Sequence, residues 1–79
     1  MTREEVRAAH ASALATAVRV INAAHLKIGE PEIHALDTLW LDLRLELHAA
    51  EQARDLDRGL AAIEHYEADS LRAIRRAAR

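Results

Sequence analysis

From Leu36 to Leu47 the chain reads LDTLWLDLRLEL, and apolar residues leave neither side of that segment clean. At helical spacing Leu36, Leu39, Trp40, Leu43 and Leu47 form one stripe, while Leu41 and Leu45 fall on the opposite side. A helix that is apolar on two sides needs cover on two sides. The same segment carries a competing signal, because Leu39, Leu41, Leu43, Leu45 and Leu47 alternate as in a strand. Helix is preferred: Leu, Asp, Arg and Glu are poor strand formers, and no other segment offers a pairing partner.

The flanking segments are amphipathic with a helical period. Val6, His10, Ala13, Leu14, Ala17, Val18, Ile21, Ala24, His25 and Ile28 recur as one stripe, opened by Thr2 and Glu5 in capping-box spacing. Gly29 suits a left-handed C-terminal position, and Pro31 cannot continue the helix before it. Pro31 is instead expected in the first turn of the second helix, with Glu30, Glu32 and Asp37 near its positive end. Further on, the apolar steps around Ala53 shorten to three and three, a phase jump for a continuous helix. The polar run Arg54 to Arg58 follows, and Gly59 is expected to cap a helix ending near Arg58. A third stripe comprises Leu60, Ile63, Tyr66, Glu67, Ser70, Leu71, Ile74 and Ala78.

These patterns predict an all-α chain, a three-helix antiparallel bundle forming one domain over residues 1–79, with helices at about 3–28, 32–58 and 60–78. The alternative is a helical hairpin whose second arm runs on past Gly59 as one long helix and dimerises. Leu41 and Leu45 are then explained in one of two ways. Either the second helix lies centrally between the other two, or the pair forms an exposed strip for a partner.

Composition sharpens this picture. The chain has no Phe and no Cys, and Trp40 and Tyr66 are its aromatics. The core must therefore be aliphatic, and in 79 residues it must be thin unless packing is close or subunits associate. Disulfides and thiolate metal sites are excluded by composition. No apolar run reaches membrane-spanning length and no signal-peptide pattern opens the chain, so a cytoplasmic protein without membrane partners is expected. A net charge of −2 with mixed signs creates no overall attraction to nucleic acid.

The candidate chemistry is sparse. His10, His25, His34, His48 and His65 include no pair spaced to share a metal with enough further ligands, so no metal or other cofactor is expected. Arg72, Arg75, Arg76 and Arg79 share one side of the last helix, as a possible anion-binding stripe or simply as complements to the helix dipole. No serine, glycine-rich loop or carboxylate pair is arranged for catalysis, and an enzyme is not expected. The expected function is non-catalytic protein–protein association, as an adaptor, inhibitor or assembly subunit. Self-association to a homodimer is the first expectation, with a second protein as a further partner. The expected contact surface is His34, Leu41, Leu45 and His48. A nucleic-acid accessory role through the C-terminal arginines is the alternative.

Overall fold

The computed structural model describes residues 1–79 and contains three helices: α1 (Arg3–Lys27), α2 (His34–Gln52) and α3 (Leu56–Ala77). There are no strands, and the helices pack against one another as a bundle. The break between α2 and α3 rules out the single long second arm.

Local chemistry accounts for each end of α1. The Glu5 backbone N–H donates to Thr2 Oγ1 at 3.1 Å, and the Thr2 N–H donates to Glu5 Oε1 at 3.0 Å. That reciprocal pair satisfies two helix-start donors and draws the Glu5 carboxyl below its ordinary pKa, chiefly through the Thr2 backbone bond. At the other end Gly29 has φ +85°, its N–H donates to the Leu26 carbonyl, and the Glu30 N–H reaches back to the His25 carbonyl. This is a Schellman ending, which uses the residue with no Cβ in the left-handed position.

The start of α2 differs from the expectation. Pro31 and Glu32 stay outside the helix, which begins at His34 after Ile33, a residue with no capping side chain. Glu30 also adopts a left-handed conformation, φ +54°, and His25 Nε2 donates to the Pro31 carbonyl at 2.8 Å. The turn is thus pinned back onto the end of α1, and the chain needs Ile33 to re-enter helical geometry. Of the three acids expected near this helix start, only Asp37 lies in its first turn.

The second boundary also moves. α2 ends at Gln52, six residues before the expected end near Arg58. Arg54, with φ +53°, takes the left-handed position. The Asp55 N–H donates to the Ala50 carbonyl at 2.8 Å and the Arg54 N–H to the Glu51 carbonyl at 3.0 Å, a second Schellman ending built without glycine. Asp55 then caps α3 by accepting from the Arg58 N–H at 3.0 Å. The apolar phase jump at Ala53 marks this break. Gly59 is not a cap; it lies inside α3.

The packing explains that glycine. A Cβ placed on Gly59 would stand 2.0 Å from the His10 ring. His10 is only 4% exposed, and its Nε2 donates to the Leu56 carbonyl at 2.9 Å. The bare backbone of Gly59 therefore lets the imidazole of α1 lie on the first turns of α3.

The tertiary arrangement differs from the central-α2 expectation. α3 is the helix against which both others pack, while α1 and α2 touch each other over a shorter stretch. Ala17, Leu43 and Ile63, one from each helix, form the innermost cluster, flanked by Leu14, Leu47 and Tyr66. Every residue of the expected α1 stripe is buried or half-buried. Trp40 stays at the margin, 37% exposed, with its ring 5.8 Å from Tyr66 and the Arg44 guanidinium 5.8 Å from its own centroid.

Candidate functional site

Because α2 meets the bundle along one side only, its other side has no cover. Leu41 is 64% exposed and Leu45 73% exposed, although both lie in the middle of a well-formed helix. His34, Thr38, Leu41, Leu45, His48 and Gln52 follow one another at alternating steps of four and three, and all six are exposed. That spacing is the seam spacing of paired helices. The structure therefore brings the four expected contact residues, His34, Leu41, Leu45 and His48, onto one outward face.

Ion pairs mark the borders of this face. Arg58 of α3 donates to Glu46 of α2, and Arg7 of α1 donates to Glu51 of α2 at 2.6 Å. Each guanidinium holds its carboxyl below the ordinary range through that hydrogen bond. Arg3 adds a bond to Gln52 Oε1 at 3.0 Å. These contacts tie α2 to its two neighbours on either side and leave the Leu41–Leu45 ridge between them unpartnered.

The C-terminal arginines are placed differently. Arg72 donates to Asp69 at 3.0 Å, and Arg72 and Arg76 border an open depression of about 450 Å³ with Thr38 and Leu39 of α2. Arg75 is exposed and Arg79 lies beyond the end of α3. No group of three or more His, Asp or Glu side chains is placed to hold a metal ion. No helix is long and apolar enough to cross a membrane.

Two features go beyond the sequence reading, which put Ser70 on the third stripe but could not show its hydroxyl without a partner. The first is a cleft of about 300 Å³ between α1 and α2, with Arg7, His10, Arg44 and Glu51 among its walls. It exists because two helices share α3 and diverge from each other, and no single-chain periodicity reports that. The second is Ser70, whose fully buried hydroxyl has no hydrogen-bond partner. Tyr66, one turn earlier, is close enough to feel that hydroxyl but falls short of bonding geometry, and burial pushes its phenol above the ordinary pKa.

No protein-family model matches the chain, and neither a curated protein nor a solved structure does.

Proposed function

We propose that this chain is an assembly module that associates with a second copy of itself through the outer face of α2, without catalysis. The observation that carries this reading is the exposure of Leu41 and Leu45 on a ridge with seam spacing. Molecular shape supports it. The chain exposes 5410 Å², whereas a compact monomer of 8.8 kDa exposes about 4,800 Å². The excess, about 600 Å², is surface that an elongated bundle leaves uncovered.

A two-fold pairing is self-complementary here. The i, i+4 ridge of Leu41 and Leu45 would cross its own copy in the geometry of ridges into grooves, each Leu41 against the other copy's Leu45. Each leucine contributes about 1.5–2 kcal/mol on burial, so four give about 6–8 kcal/mol. Against an association cost of about 4 kcal/mol or more, that leaves at most about 4 kcal/mol from the leucines, a dissociation constant near 1 mM that contacts flanking the ridge would tighten.

Light scattering on a sizing column tests this. The wild type is expected to approach twice 8.8 kDa as concentration rises, with little dependence on salt. Leu41→Glu/Leu45→Glu should remain at the monomer mass with its helix content intact, since both side chains are already exposed in the monomer. A wild type that stays monomeric to about 1 mM, or a double variant that unfolds, overturns the reading.

A further inference from the structure

We propose that the cleft between α1 and α2 binds a small organic monocarboxylate with an apolar body. The cleft holds about 300 Å³, the lower end of the range for small-molecule sites. Leu14 of α1 and Leu47 of α2, both half-buried, line it together with Arg7, Arg44 and Glu51. A few polar groups converging beside apolar side chains is the composition that orients a small ligand while burying its body.

The charges select the ligand's sign and valence. Arg7 and Glu51 neutralise each other, with Arg7 Nε and Nη2 both donating to Glu51 Oε1 at 3.0 and 2.6 Å. Arg44 has no carboxylate within salt-bridge distance, and its guanidinium is steadied over the Trp40 ring instead. The cleft thus carries one uncompensated positive charge. His48, exposed where the cleft meets the outer face of α2, lines it without making a hydrogen bond. His10 forms a rigid wall, buried and held by the Leu56 carbonyl.

A monoanion neutralises Arg44 and can accept from its planar fork in the bidentate manner carboxylates favour. A dianion such as phosphate would exceed the available charge and face the Glu51 carboxylate. The depression beside Arg72 and Arg76 also has one unpaired guanidinium, that of Arg76, but it is the more open of the two and would bury less of a ligand's body.

The test is a titration of the ¹⁵N-labelled chain with butyrate, hexanoate and benzoate, and separately with inorganic phosphate, followed by amide NMR shifts. Saturable shifts are expected around Arg7, Ala11, Arg44 and His48, with a dissociation constant of about 1 mM or tighter for hexanoate or benzoate, and weaker for butyrate. Arg44→Gln should weaken binding by about tenfold or more. Ala11→Leu, which fills the cleft without touching a charge, should abolish it. Arg75→Gln, outside the cleft, and Leu41→Gln/Leu45→Gln, which adds no charge one turn from Arg44 or His48, should bind as the wild type does, which separates this site from the leucine ridge of the assembly surface. The proposal is overturned if no acid saturates by about 20 mM, if phosphate binds as tightly as the acids, or if Arg44→Gln leaves affinity unchanged.

Discussion

Gly59 and His10 show how a single residue can carry a helix–helix contact. Glycine inside a helix costs about 1 kcal/mol relative to alanine, so propensity alone says that Gly59→Ala should stabilise α3. The structure says the opposite, because the added methyl would collide with a ring that cannot leave. Gly59→Ala is expected to destabilise the fold by about 1–3 kcal/mol in urea melts, the usual cost of overpacking. In the His10→Ala background the same substitution should cost far less, because the clash is gone, and the two changes should be clearly non-additive. A Gly59→Ala protein more stable than wild type would show that the His10 ring yields to the added methyl. The sequence displayed both residues but not their meeting: His10 read as core-bordering, which it is, and Gly59 read as a cap, which it is not.

Among elements, the α2–α3 turn is the most instructive. It is made by three residues with distinct jobs. Ala53 ends the helix, Arg54 takes the left-handed conformation, and Asp55 caps the next helix. A left-handed residue bearing a Cβ is strained by about 1–2 kcal/mol, which Gly at this position avoids. Arg54→Gly is therefore expected to stabilise the fold, by up to about 1 kcal/mol once the greater freedom of the unfolded chain is counted. Asp55→Ala removes the acceptor for the Arg58 N–H and should cost about 1 kcal/mol. Chemical denaturation of the two variants checks both signs. A loss of stability in Arg54→Gly would mean the Arg54 side chain makes a contact that outweighs its backbone strain. The break was visible in the chain as a phase jump at Ala53, yet the turn chemistry pointed to glycine. An arginine in a glycine's role leaves no compositional mark.

At the scale of the whole molecule the bundle is long and narrow, 43 × 18 × 15 Å, with a radius of gyration of 13.3 Å. A compact chain of this length has a radius of about 12 Å. Two polar clasps close this open shape, Arg7–Glu51 between α1 and α2 and Arg58–Glu46 between α2 and α3. Their carboxyls, like Glu5 at the first cap, have lowered pKa values in the folded state. A carboxyl so lowered adds stability that is complete above its unfolded pKa, about 4.3 for Glu, and is lost as pH falls through the folded value. The melting temperature should therefore fall as pH drops below about 4.5, and Glu46→Gln/Glu51→Gln should flatten that fall. Because the pairs are exposed, the effect is modest and shrinks in high salt. An acid limb with the same slope in the double variant would assign acid loss to other groups. The same open shape leaves α2 half covered and parts α1 from α2, and both the proposed assembly face and the proposed ligand cleft follow from it.

The sequence by itself determined what periodicity and local chemistry can encode. It set the helical class, the three segments, the capping box at Thr2 and Glu5, the glycine ending at Gly29 and the buried stripe of α1. It also placed Leu41 and Leu45 opposite the main stripe of their helix. These properties depend on residues within one or two turns of each other. Tertiary structure decided the rest, because it depends on which helix lies between the other two. With α3 central, Leu41 and Leu45 face outward instead of meeting a neighbour. For the same reason α1 and α2 enclose a cleft, and Gly59 becomes a seat for an imidazole forty-nine positions earlier in the chain. Three amphipathic stripes can be stacked in more than one order with similar burial. The choice was made by close contacts such as His10 on Gly59, which only the folded chain brings together.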